Sequence, residues 1–382
     1  MNLRFLVWSG LGAAVLFLIG GAIWILLLPA APAAAAAPPI AQDEADATLA
    51  ALKPPKRQRP LVAIVGINDA TETTDYLMPY GILRRADIAD VVALATGPGS
   101  MQLYPALKVE PQATIADFDA GHPDGADYVI VPAMSRDDDP AVLQWLNSQA
   151  AKGAIIIGVC VGAKVVAAAG LLDGKRATTH WYSLGELRKK HPEIRYVADR
   201  RLVVDGRVAT TTGITASMPM SLTLIEAIAG REKAEAVARD LGLTAWDARH
   251  DSDAFRFTRP FALTAIGNTL AFWNHEQLGI GITPGIDEVS LALVADAWSR
   301  TYRSRAVTFA ADAAIETRNG IRILPDQVDT NWPAEQLIPP IGGRQPAKAL
   351  DDALHGIAER HGMRTADFVA MQLEYPRQNT PR

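Results

Sequence analysis

The chain has 382 residues, of which 49% are hydrophobic and 21% charged, enough for two modest domains or one large one with appendages, and not the composition of a disordered or fibrous chain. Its formal charge is −5, and −7 once residues 1–59 are set aside, so the acidic body disfavours nucleic acid as a partner. Cys160 is the only cysteine, which excludes an intramolecular disulfide and a cysteine-rich metal site and leaves either inert packing or chemistry.

The run from Phe5 to Leu28 carries no charge and is long enough, at 1.5 Å per residue, to span a hydrocarbon core of roughly 30 Å. It is expected to be an uncleaved membrane helix rather than a signal peptide, whose apolar core is usually no longer than about 15 residues. Met1 and Arg4 precede it, while the first charges after it are Asp43, Glu44 and Asp46. That asymmetry predicts an inner-membrane, single-pass protein whose soluble part lies on the non-cytoplasmic, periplasmic side. Residues 29–60, rich in Ala and Pro, read as a linker without a core of its own.

From Leu61 strand and helix signals alternate. Residues 61–67, 91–95, 127–132 and 154–159 are short apolar runs suited to strands buried on both faces, and residues 76–86 and 140–151 have helical spacing. The pattern predicts an α/β fold with a parallel sheet covered on both sides, over residues 61–231. In such sheets, ligands bind where strand carboxyl ends meet helix amino ends, and Cys160 falls at such a point. The stretch Gly158-Val159-Cys160-Val161-Gly162-Ala163 reads as strand, sharp turn and helix through Leu172, a nucleophile elbow. A thiol at a helix amino terminus is expected to have a lowered pKa. By itself, a cysteine in so apolar a stretch is more often buried packing than a functional group.

Three motifs in order carry a resemblance. Residues 158–163 continue into Ala167-Ala168-Ala169-Gly170-Leu171-Leu172-Asp173-Gly174 and Arg176-Ala177-Thr178-Thr179-His180-Trp181; Asp75-Tyr76-Leu77-Met78-Pro79 precedes them and Thr211-Thr212-Gly213-Ile214-Thr215-Ala216-Ser217 follows. Together they resemble the ThiJ/PfpI superfamily, of class I glutamine amidotransferase-like fold, nearest the branch of isonitrile hydratases and the amino-terminal domains of AraC-type regulators. The resemblance implies a flavodoxin-like parallel sheet sandwiched by helices. It implies a nucleophile at Cys160, an acid/base at Asp75 and a histidine of variable role at His180. It implies oxyanion-hole backbone donors at Val161 and Ala133, and neither a cofactor nor a metal. Asp75 is equally readable as a residue capping its own helix.

The chain also departs from that pattern. Ala133 and Met134 stand where the family usually has two glycines, Val161 follows the nucleophile, and Trp181 and Tyr182 follow His180, so a glutaminase or peptidase triad is disfavoured.

Residues 232–382 are expected to form an α/β extension. Helices are predicted at residues 232–241 and 287–302, and Asn319-Gly320 is a turn into a strand. Residues 281–287 partly echo residues 213–217, as a degenerate half-repeat or by chance. Arg300, Tyr302, Arg303 and Arg305 read as a solvated basic helix face. Two functions are compatible with all this. One is a cysteine-nucleophile hydratase or hydrolase acting on a small electrophile such as an isonitrile or reactive carbonyl. The other is a membrane-tethered binding or sensor module using the same pocket without turnover. The expected partners are the membrane, a small molecule and a second copy of the chain.

Overall fold

A computed structural model describes residues 16–17, 19–32 and 35–376. Half of the expected membrane span, residues 5–15 and 18, lies outside the described residues. Among those described, no helix is long and apolar enough to cross a membrane.

The sheet that carries the site has seven strands: β1 (Leu61–Gly66), β2 (Asp90–Ala95), β3 (Ala113–Thr114), β4 (Tyr128–Val131), β5 (Ile155–Gly158), β6 (Leu202–Asp205) and β7 (Val208–Thr211). Their spatial order is β6-β7-β5-β4-β1-β2-β3, with every neighbour pair parallel except the β6-β7 edge hairpin. The flavodoxin-like α/β reading is therefore correct. The strands are continuous apolar runs because both faces are covered, and side chains alternate between two separate cores. Val62, Ile64, Ile130 and Ile157 face one core, while Ala63, Val65, Val129 and Ile156 face the other.

Helices sort onto these faces by their apolar stripes. The linker segment holds helix α1 (Gln42–Ala51). It buries no side chain of its own, but Glu44 pairs with Arg200 at 2.8 Å, the Leu52 carbonyl accepts from the Tyr128 hydroxyl at 2.7 Å, and Arg57 pairs with buried Asp127 at 2.6 Å. Residues 42–60 are thus tied to the sheet rather than loose. Helix α2 (Thr73–Ala86) lies on the first face; α3 (Pro140–Ala151) and α4 (Gly162–Ala168) lie on the second. The elbow helix stops short of the expected Leu172 because Gly170 turns to φ +76°, a left-handed exit that glycine adopts without strain.

Helices α5 (Ser217–Ala229) and α6 (Arg231–Leu241) return to the first face. Helix α7 (Arg259–Leu270) follows, then a βαβ unit in which strands β8 (Glu276–Gly281) and β9 (Ser304–Ala310) run parallel on either side of α8 (Glu288–Ser299). Helix α8 is buried at every position but its last, as expected of a helix apolar almost all round. It packs on α2 at Gly81, where a Cβ would come within 2.6 Å of Val289. Helices α9 (Pro346–His361) and α10 (Met363–Gln372) close the outside. The first core runs without interruption from Leu222 and Leu224 to Val289, Leu293, Leu350 and Val369, so residues on both sides of position 231 share it. The stretches at 213–217 and 281–287 both link a strand to a helix.

Candidate active site

Cys160 sits at the tip of the turn between β5 and α4, with φ +56°. A non-glycine residue held left-handed costs on the order of 1 kcal/mol and persists only where its surroundings fix it. Here the backbone N–H of Cys160 donates to the Thr211 hydroxyl at 3.1 Å, and its carbonyl accepts from the Thr179 hydroxyl at 2.9 Å. The flanking glycines are required for space. A Cβ on Gly162 would collide with the Val131 carbonyl oxygen, and one on Gly158 would lie 3.0 Å from the backbone of Ala163. The strand, sharp turn and helix read from the sequence are present, the helix ending at Ala168.

Asp75 stands in the first turn of α2, fully buried. It does not cap its own helix. Glu72 is the cap, accepting from the Asp75 backbone N–H at 2.6 Å and from the Thr74 hydroxyl at 2.8 Å. That leaves the Asp75 carboxyl facing the site: Oδ2 accepts from the Ala133 N–H at 3.1 Å, while Oδ1 has no partner among the described residues. Burial, and then the neighbouring Glu72 charge, push the Asp75 carboxyl well above the usual carboxylate range.

The thiol departs from the expectation of a lowered pKa. Burial, followed by the charges of Asp75, Glu72 and Glu374, pushes Cys160 up, and the hydrogen bond from the Val161 N–H offsets only part of this. With Asp75 protonated, burial alone still favours the neutral thiol. A helix-terminus dipole is worth about 1 kcal/mol or less at exposed sites, which cannot balance removal of a thiolate from water. Cys160 therefore rests as a thiol and needs proton transfer when it reacts.

The two expected oxyanion donors fare differently. The Val161 N–H faces the sulfur, whereas the Ala133 N–H is already spent on Asp75. His180 is close by and buried, but both ring nitrogens are engaged. Nε2 donates to the Gln372 carbonyl at 2.9 Å and Nδ1 accepts from the Tyr182 N–H at 3.2 Å. Burial holds its pKa below the ordinary value, in keeping with this neutral tautomer. It positions the C-terminal helix against the site. Glu374 completes that attachment, accepting from the N–H groups of Trp181 at 2.8 Å and Gly213 at 2.6 Å.

Sequence reading missed the group that shapes the electrostatics. Arg300 is not on a solvated basic face. It follows α8 into the site, where its guanidinium donates to both oxygens of Asp296 at 2.9 and 2.8 Å and to Glu72 at 2.8 Å. Asp296, fully buried, is pushed up to about 7 by burial despite the favourable Arg300 charge. One arginine thus pairs with two buried carboxyl groups, Glu72 and Asp296, and its charge also reaches Asp75. An Asp-x-x-x-Arg pair at helical spacing is the only local hint of this, and such pairs are common on surfaces.

Above the sulfur lies a cavity of about 640 Å³. Cys160, Val161, Met134 and Trp181 form its floor and near wall; Phe257, Phe261, Arg300 and Tyr302 form the far wall. Its size and mostly apolar lining with a few polar groups are those of a small-molecule site.

The comparisons with known proteins agree with this geometry. Residues 62–227 match the model of the DJ-1/PfpI family. The chain is 38% identical over 110 residues to isonitrile hydratase of Pseudomonas putida, covering 27% of this chain and 44% of the hydratase. It is 35% identical over 112 residues to the HTH-type transcriptional regulator CdhR of Pseudomonas aeruginosa, covering 29% of this chain and 33% of the regulator. The chain thus spans less than half the length of either curated relative. The crystal structure of Drosophila melanogaster DJ-1beta superposes with a TM-score of 0.44 at 22% identity, covering 49% of this chain and 100% of that one. Cys160, at the strand-to-helix turn, thus falls within residues 62–227, the stretch that matches the DJ-1/PfpI family model.

Proposed function

We propose that the protein is a cysteine-dependent hydratase or hydrolase of a small, largely apolar electrophile, of which an isonitrile is the best fit. The observation that carries this is the Cys160 thiol lining a cavity of about 640 Å³, with the buried Asp75 carboxyl near enough for its charge to act on the thiol and itself pushed well above the usual carboxylate range. An isonitrile carbon accepts a proton before it accepts a nucleophile, so a neutral thiol beside an acid suits it better than a free thiolate would. The carbon takes a proton from Asp75 and bonds to sulfur, while the thiol proton passes to the Asp75 carboxylate, giving a thioimidate. Water then adds to that carbon, the C–S bond breaks, and the N-substituted formamide leaves with Cys160 again a thiol. Overall one isonitrile and one water give one formamide, with no redox change. The Val161 N–H is the donor positioned for charge that develops near the sulfur.

The occupied Ala133 N–H favours a second reading, a ligand-binding or sensor module without turnover, since only one backbone donor then remains for an oxyanion. In either case the uncharged residues 5–28 support a membrane-anchored protein with its soluble part on the periplasmic side. Formamide production from alkyl and aryl isonitriles, measured for wild type and Cys160→Ala, separates the readings. Turnover lost in the variant with its melting temperature kept within a few degrees supports the enzyme. Absence of turnover in wild type across isonitriles, glyoxals and amides, with a ligand still shifting the melting temperature, replaces it with the sensor.

A further inference from the structure

Helix α7 has two apolar faces. Phe261 and Ala265 point into the cavity over Cys160. Leu263, Ile266 and Leu270, at i, i+3 and i+7, point outward and are exposed, and the chain continues into Phe272 and Trp273, 71% and 72% exposed, with their rings edge to face at 5.1 Å. From Pro260 to His275 there is no Asp, Glu, Lys or Arg, while Arg256 and Arg259 flank the start of the helix. A soluble monomer rarely leaves so contiguous an apolar ridge in water.

The apolar amino-terminal segment ends against this same helix. The Arg259 N–H donates to the Pro29 carbonyl at 2.9 Å, its guanidinium donates to the Leu26 carbonyl at 2.6 Å, and Trp24 meets Phe257 at 5.9 Å between ring centres. Helical residues 19–27 expose Ile19, Ile23, Trp24, Leu26 and Leu27. Two exposed apolar surfaces therefore join at Arg259.

We propose that the outward face of α7, with Phe272 and Trp273, lies in the interfacial layer of a phospholipid bilayer, so that the cavity over Cys160 opens at the membrane surface. A helix that stays apolar on its outward face, with aromatic residues at its end and arginines at its margin, carries the features that partition there. Continuity with residues 19–29 selects lipid over a protein partner, because whatever solvates that segment reaches α7 as well. The inference rests on the membrane reading of residues 5–28 and extends it to the substrate: the site would draw apolar electrophiles from the lipid phase rather than from water.

The test uses the full chain in a Cys160→Ser background with an environment-sensitive fluorophore on Ile266→Cys or, as a control on the opposite face, Gln144→Cys, mixed with vesicles of four parts phosphatidylcholine to one part phosphatidylglycerol. The protein should float with the vesicles, and label 266 should shift to the blue and be quenched at least threefold by spin-labelled lipid, with label 144 unchanged. Flotation with label 266 still in water overturns the interfacial face while leaving the anchor standing. Failure to float overturns both. A blue shift without lipid quenching, growing with protein concentration, identifies a second copy as the occupant and overturns the proposal.

Discussion

Residues 61–231 and residues 232–376 contribute to one cavity in different ways. The first region supplies the Cys160 thiol on a backbone that local sequence dictates: apolar strand, Gly158, Cys160, Gly162, helix. The second supplies the far wall and Arg300, the only Lys or Arg among the described residues lining the cavity, through contacts that span more than 200 residues of sequence. The comparison teaches that a cysteine elbow can be legible in a dozen residues while the protonation state of its thiol is not, since burial raises the Cys160 thiol.

The most severe way to break the first half is Gly162→Ala. Its Cβ would meet the Val131 carbonyl, a backbone atom that cannot yield without shifting β4. A loss of about 3 kcal/mol or more in stability is expected by chemical denaturation; a loss below about 1 kcal/mol would mean that the elbow is looser than described.

The corresponding break in the second half is Arg300→Met, which leaves Glu72 and Asp296 buried without their cation. Breaking a buried pair on one side costs about 3 kcal/mol, whereas Arg322→Ala, removing an exposed pair with Glu110, should cost less than about 1 kcal/mol. Equal losses for the two variants would remove Arg300 from its place as the organiser of the carboxyl cluster.

Asp75→Asn sharpens the link between the regions. The folded-state pKa of Asp75 is raised, so its favourable contribution is complete below about pH 4 and is lost as pH rises through the folded value. Asparagine keeps the acceptor for the Ala133 N–H without this dependence. The variant should match wild type near pH 4 and melt a few degrees higher at pH 8. A variant less stable than wild type at pH 8 would show that the carboxyl is ionised in the folded protein.

Much of the fold was readable because both-face burial makes strands of the sheet continuous apolar runs and because helices 140–151 and 231–241 show their stripe locally. The elbow was readable because its glycines are needed for space at adjoining positions. Arg300 was misread since nothing in Arg300 to Arg305 tells a buried arginine from solvated ones; only the fold brings Glu72 to it. The role of Asp75 was left open between cap and acid, and the decision came from Glu72 taking the cap three residues earlier. The helix in residues 42–51 was missed because it buries no side chain and so has no apolar stripe to read.

The central claim is that the Cys160 thiol is neutral until a substrate arrives. The rate of alkylation by iodoacetamide, followed by intact mass across pH 6 to 11, tests it directly because the chain holds a single cysteine. Slow modification at pH 7, rising only above the ordinary cysteine range of about 8.5, is the expected result. A rate already at its plateau by pH 7 would mean a preformed thiolate, and would contradict the account of the site.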